Sequence, residues 1–244
     1  MIEKAYLQTF KGEFATEATY VAFLGCEHLR IKTEKFDYDE IDSLDITKNT
    51  IVFGGVTPIR HALSSLGVIV PEPIDIPKEL YKYTMRDIEI GTVRHFKDNG
   101  NFPLFVKPTT LKLFTGLVIP DKDELDYIST LTVQGDEFNI MTSSVVNFVS
   151  EYRVFVAEGK VIDCRKYSGN HEVIPDFNFI NDTIKNYTSQ PIAYAIDFGV
   201  TDKCETMLIE VNDGYGVGTY GLDGRDYVRM SILRWNELCK NIER

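Results

Sequence analysis

The stretch Met207 to Leu222, MLIEVNDGYGVGTYGL, constrains this chain most, taken with Asp197 in AYAIDFGV thirteen residues before Glu210. Met207, Ile209 and Val211 alternate with Leu208, Glu210 and Asn212, the period of a strand with one face in a core, so Glu210 and Asn212 share a face. A second apolar run, Tyr194 to Val200, precedes it across TDKCET. The simplest reading is an antiparallel hairpin whose turn near Lys203 and Cys204 sets Asp197 opposite Glu210. Two carboxylates placed that way repel, so Asp197→Asn or Glu210→Gln is expected to leave the metal-free fold intact or slightly improved. A divalent cation between them makes sense of the pairing, because Mg²⁺ takes hard oxygen ligands, commonly one or two carboxylates plus substrate phosphates. Asn212 adds a neutral carbonyl oxygen. The alternative is an edge hairpin with solvated acids, since the turn lacks the Asn-Gly signal of a tight hairpin.

Two further stretches carry cations on strand patterns. PLFVKP ends an apolar strand on Lys107, and Pro108 stops the strand, so the ammonium sits at a rigid terminus where it can meet phosphates or simply blunt a sheet edge. SEYRVFVAEGKVIDCRKYSG reads as a hairpin turning at Glu158-Gly159. Glu151, Arg153 and Phe155 fall on one face of its first strand. A Glu-x-Arg pair on a strand is ordinarily a modest surface ion pair. Arg165 and Lys166 on the return strand point to opposite faces.

Asp197 followed by Glu210-Val211-Asn212 resembles the metal-binding end of the ATP-grasp superfamily. FVKPTTLKLFTG, SEYRVFV and IEVNDGYGVGTYGL, in that order, are similar to the ATP-grasp clade named for one arginine and two lysines. The resemblance runs from Pro103 to Leu222 and is loose before that. It implies that Lys107 and Lys112 are the two lysines and Arg153 the arginine. Lys112 and Arg153 would serve catalysis. Lys107, Lys112, Arg153 and Arg165 would hold the nucleotide phosphates, and the crossing Ser143 to Phe148, through Ser144 and Val146, would meet the adenine edge. Asp197, Glu210 and Asn212 would hold the metal. The loop PTTL departs from the glycine-rich loop of better-known ATP-grasp enzymes, so Thr109 and Thr110 would supply hydroxyls, with Gly116 as the nearby hinge.

The implied fold class is α+β: an ATP-grasp domain of two α+β subdomains over residues 79–244, preceded by a small α/β domain over 1–78. The implied cofactors are ATP and Mg²⁺. The implied activity is ligation, in which a small-molecule or peptide carboxylate is activated as an acyl phosphate and attacked by an amine or similar nucleophile. A phosphotransferase, a nucleic-acid ligase and a non-catalytic ATP-binding interaction module remain the alternatives.

Composition limits the partners. A net charge of -11 disfavours broad polyanion surfaces such as nucleic acid without excluding a small basic pocket. The N-terminus has early charges and no apolar core of a signal peptide, and nowhere do eighteen apolar residues run together. Neither export nor membrane insertion is expected, and the expected compartment is the cytoplasm. The four cysteines lie far apart with no CxxC, which predicts reduced, structural thiols, and the four histidines are equally dispersed.

Outside the motifs, Ile51 to Phe53, Gly54-Gly55 and TPIRHALSSLG predict a strand, a tight turn and a helix with Thr57 as N-cap and Gly67 as its stop. No phosphate-loop pattern accompanies the glycines. The three prolines of VIVPEPIDIPKEL mark a boundary near residue 78. Helices are expected over Leu80 to Phe96, Asp121 to Thr130 and from Tyr227 onward, and strands over Gly116 to Pro120 and Phe138 to Phe148.

Overall fold

The computed structural model describes residues 2–110 and 113–242. The chain forms two compact units: one joins the residues up to Glu79 with those from Val149 on, and the other runs from Leu80 to Phe148.

The first unit opens with β1 (Lys4–Phe10), β2 (Glu13–Phe14), α1 (Glu17–Leu29), β3 (Lys32–Asp37), β4 (Thr50–Phe53) and α2 (Val56–Ser65). β1 is the hub of this sheet, pairing in parallel with β3 and β4 and antiparallel with the short β2. Thr16 caps α1 by accepting from the Thr19 N–H, and the Thr19 hydroxyl oxygen accepts from the Thr16 N–H, so two orphan donors at the helix start are satisfied reciprocally. The expected N-cap at Thr57 is not formed. α2 starts two residues earlier, with Gly55 as its cap in extended conformation and the Gly55 N–H donated to Gln8 Oε1 at 2.9 Å.

Past the second unit, the chain returns through β9 (Phe148–Ala157), β10 (Lys160–Gly169), α6 (Phe177–Lys185), β11 (Ala193–Thr201), β12 (Thr206–Asp213) and α7 (Gly224–Leu238). These strands form a sheet in the order β10-β9-β11-β12, and every residue of β11 is buried. One hydrophobic core serves both stretches of the unit. Ala5, Leu7, Ile51, Phe53 and Leu63 pack in the same cluster as Phe155, Ala195, Tyr227, Val228 and Trp235. Arg234 ties α7 to the end of β12 with two bonds to Asp213, at 2.6 and 2.8 Å.

α1 crosses α7 where both present glycine. A Cβ built on Gly25 would lie 2.0 Å from the Gly224 carbonyl oxygen, a distance no side chain tolerates. Gly25→Ala forces the two helices apart and is expected to cost about 1–3 kcal/mol, read as a lower midpoint in urea denaturation.

The second unit holds α3 (Tyr81–Thr84), β5 (Ile88–Thr92), α4 (Val93–Asn99), β6 (Leu104–Pro108), β7 (Leu117–Ile119), α5 (Leu125–Thr130) and β8 (Asn139–Ser144). Its sheet runs β5-β8-β6-β7, antiparallel throughout, over a core of Val93, Phe96, Val106, Ile119, Leu125, Ile128, Phe138 and Ile140. The single helix expected over Leu80 to Phe96 is replaced by helix, strand and helix. Met85 turns left-handed at φ 49, Ile88 to Thr92 pair with β8, and Thr92 then caps α4 by accepting from the His95 N–H. The segment IEIGT, β-branched and alternating, suits a strand better than the interior of a helix.

The four cysteines are free, with Cys26 and Cys239 buried and Cys204 exposed; burial pushes the Cys26 thiol up to about 12. Among the described residues no helix is long and apolar enough to cross a membrane.

Candidate active site

β11 and β12 pair in the register the symmetric turn predicts, Asp197 opposite Glu210 and Ala195 opposite Asn212. The alternation breaks at one point. Phe198 pairs with Leu208, so a bulge at Ile209 shifts the register by one. Leu208, expected beside Glu210, goes instead with Phe198 to the opposite face and is wholly buried, while Glu210 stays with Asp197. The Asn212 amide nitrogen spans the two acids, donating to Glu210 Oε1 at 3.1 Å and to Asp197 Oδ2 at 3.4 Å.

Asp197 does not face Glu210 as a bare acid. Its carboxylate, 2% exposed, accepts a two-pronged contact from Arg153 on β9, Nε to Oδ1 at 2.8 Å and Nη2 to Oδ2 at 2.7 Å. The expectation that neutralising Asp197 relieves the metal-free fold is therefore overturned: the acid has a buried partner that would be left without a counter-charge. Burial works against the Arg153 charge, but the bonds to Asp197 outweigh it and hold the guanidinium firmly protonated. Burial also pushes the Asp197 carboxyl up, against the pull of Arg153, and the neighbouring Glu210 and Glu151 push in the same direction.

Two tyrosines complete the surroundings of Arg153. Tyr167 and Tyr220 stack with ring centroids 5.0 Å apart, and the guanidinium carbon lies 5.0 Å from the Tyr220 ring centre and 6.0 Å from that of Tyr167. The Tyr167 hydroxyl donates to Glu151 Oε2 at 2.8 Å, and burial keeps that phenol protonated far into the alkaline range. Tyr167 shares this face by alternation with Arg165, which pairs with Arg153, and it lies at the register shift between Lys166 and Ser168. Tyr220, at φ 48, stands in the loop after β12, where the Gly218 carbonyl accepts from Arg153 Nη1 at 3.4 Å and Thr219 donates to Glu17. Neither tyrosine was singled out from the sequence. Tyr167 has a signal in its period-2 spacing from Arg165, whereas Tyr220 stands on a left-handed turn residue that leaves none.

The remaining candidates divide as follows. Arg165 sits opposite Arg153 in the β9–β10 register, with its fork engaged by Asp163, Nε to Oδ2 at 2.7 Å. In the second unit, Lys107 lies near the end of β6 opposite Met141 of β8, and Ser144 closes β8, its hydroxyl oxygen accepting from the Asp87 N–H at 3.2 Å. Val146 is half-buried in the connection from β8 to β9. The Thr109 hydroxyl donates to the Asn139 carbonyl at 2.9 Å. Lys112 lies outside the described residues.

The donor set fits a hard divalent cation on chemical grounds. Asp197 and Glu210 offer carboxylate oxygens alone, and the Asn212 amide, whose nitrogen faces both acids in the metal-free protein, offers its oxygen once turned over. Among the described residues no three His, Cys, Asp or Glu side chains converge. Two carboxylates and one amide suit an ion whose other ligands come from phosphate or water.

Residues 83–230 match the model of an ATP-grasp domain family, the second family of the clade named for one arginine and two lysines. The chain belongs to this family. Solved ATP-grasp structures align over nearly its whole length. D-alanine–D-alanine ligase from Bacillus anthracis aligns at 16% identity over 97% of this chain and 98% of that one, with a TM-score of 0.56. An L-amino acid ligase from Bacillus licheniformis aligns at 10% identity over 97% and 75%, TM-score 0.58. A RimK domain ATP-grasp protein from Sphaerobacter thermophilus aligns at 9% identity over 98% and 99%, TM-score 0.56. At such identities the likeness is one of fold. No curated protein matches the chain in sequence. The family match covers both the β5–β8 sheet and the strands that carry Arg153, Asp197 and Glu210.

Proposed function

We propose that this ATP-grasp chain is a cytoplasmic, ATP- and Mg²⁺-dependent carboxylate–amine ligase that releases ADP. The observation that carries the reading is the pair of carboxylates, Asp197 and Glu210, bridged by the Asn212 amide beside the Arg153 guanidinium on one sheet of an ATP-grasp fold. Two of the solved relatives, a D-alanine–D-alanine ligase and an L-amino acid ligase, support an amino-acid or peptide carboxylate as donor and an amine as acceptor.

The chemistry is two displacements. A substrate carboxylate oxygen attacks the γ-phosphorus and the bond to the β-phosphate oxygen breaks, giving an acyl phosphate and ADP. The acceptor amine then attacks the acyl carbon, the C–O bond to phosphate breaks, and the nitrogen loses its proton. No protein nucleophile is required, so the side chains act by position and charge. Lys107 and Lys112 offset phosphate charge as ammonium groups, and Arg153 offers a planar fork to two oxygens of the transferring phosphoryl. Arg165 adds a second guanidinium beside it. The backbone at Ser144 and Val146 takes the adenine edge. Asp197, Glu210 and Asn212 would hold Mg²⁺, which would supply neutralisation of phosphate charge.

MgATP is expected to stabilise the protein by mass action, about 2.7 kcal/mol at a hundredfold excess over Kd, seen as a rise in melting temperature. A panel of carboxylates and amines assayed for ADP release tests the activity itself. Release that depends on both partners supports the ligase, release with an alcohol in place of the amine indicates phosphotransfer, and pyrophosphate release indicates adenylation. No melting shift at millimolar MgATP with folded protein overturns the nucleotide assignment.

A further inference from the structure

We propose that Arg153 is a resident placeholder for the divalent cation, a positioning residue that keeps Asp197 oriented in the metal-free protein and gives it up when the cation binds. The proposal rests on the reading of Asp197, Glu210 and Asn212 as the metal set. Both Asp197 oxygens accept from the Arg153 fork, at 2.8 and 2.7 Å. The fork takes one lone pair of each Asp197 oxygen, and its positive charge repels a dication drawn to the same carboxylate, so guanidinium and metal compete for one anionic ligand. Asp197 thus stands in an ordered, paired form before any metal arrives.

A buried guanidinium released from its acid needs another seat, and the structure provides one. The stacked Tyr220 and Tyr167 rings lie beside it, and the Gly218 carbonyl already accepts from Nη1. Tyr167 is itself anchored through its hydroxyl on Glu151. The aromatic pair therefore retains the cation near the site while its fork turns from Asp197 to an incoming anion, for which the transferring phosphoryl has the matching shape. Metal entry and the freeing of Arg153 are one exchange of cations on Asp197. It follows that the protein holds metal weakly alone and more tightly with nucleotide, whose phosphates receive the displaced arginine. A purely structural Arg153–Asp197 pair makes the opposite demand: removing Arg153 would damage the site and gain nothing in metal affinity.

The test uses Mn²⁺ alone, followed by electron paramagnetic resonance of the free ion, with circular dichroism confirming the fold. Arg153→Met is expected to bind Mn²⁺ about tenfold more tightly than wild type, with Arg153→Lys in between because one ammonium holds a carboxylate less firmly than a fork. Mn²⁺ is expected to raise the melting temperature of Arg153→Met and to leave that of wild type nearly unchanged. Adding Glu210→Gln to either variant is expected to erase the gain. If Arg153→Met does not fold, Arg153→Lys decides the comparison. Affinities no higher than wild type in the folded variants, with wild type still binding Mn²⁺ beside ADP, overturn the placeholder and leave the metal site standing. Absence of Mn²⁺ binding in every protein, with or without ADP, overturns the metal site and the placeholder together.

Discussion

Asp197→Asn is expected to destabilise the metal-free protein by about 3 kcal/mol or more, because breaking a buried, two-pronged ion pair leaves a guanidinium without its counter-charge. Two effects compete here. Removing the carboxylate relieves its repulsion from Glu210, a cross-strand effect of about 0.2–1 kcal/mol. It also strips Arg153, only 8% exposed, of the acid that holds it. The second effect is several times the first and sets the sign. Asparagine can accept one of the two N–H donors but carries no charge. Urea denaturation of wild type and variant in EDTA measures the difference. Equal midpoints with equal slopes would show that the pair adds nothing to the fold, and a higher midpoint in the variant would make Asp197 an acid relieved by neutralisation.

Glu210→Gln is expected to behave in the opposite way, holding the fold within about 1 kcal/mol while losing Mg²⁺-dependent turnover. The glutamine carbonyl can still accept from the Asn212 amide, which donates to Glu210 Oε1 at 3.1 Å. What disappears is one hard anionic ligand, so MgATP binding weakens by at least about tenfold, or ~1.4 kcal/mol. Lys107→Ala removes phosphate charge without touching the metal set and is expected to weaken ATP binding whether or not Mg²⁺ is present. Calorimetric titration of ATP with and without Mg²⁺ separates the two variants. Equal MgATP affinity in folded wild type and Glu210→Gln would remove the metal assignment and with it the mechanism.

The parts of the site that could be read in the chain are those whose geometry is local. The β9–β10 and β11–β12 hairpins show alternation on both sides of a short turn, and that is enough to put Asp197 beside Glu210. The Arg153–Asp197 contact is a different matter. It joins residues 44 apart through the side-by-side placement of β9 and β11, which no pattern within either strand specifies. The bulge at Ile209 is equally silent, since one extra residue in a strand looks like ordinary sequence until its partner is known. β1 escaped notice for a compositional reason. Its residues, KAYLQTF, mix polar and apolar side chains too evenly to announce the strand that pairs with three others. Ile88 to Thr92 carry a strand signal of their own, IEIGT alternating isoleucine with Glu89 and Gly91, which the helix expected across them overrode.

The contact between α1 and α7 also governs the order in which the polypeptide can mature. Thr219 donates to Glu17 across 202 positions, and the Gly25 flank of α1 is covered by a helix that begins at Gly224. Residues Leu80 to Phe148, by contrast, complete their own core from one contiguous stretch. On a ribosome, the middle of this protein can fold while its beginning still waits for a partner that has not been synthesised. Until the fifteen residues of α7 emerge, the nascent chain displays the apolar side of α1 and the sheet behind it to whatever chaperone or neighbouring chain is at hand. The interval between translating Leu29 and translating Leu238 is thus the period in which this fold is most exposed to aggregation.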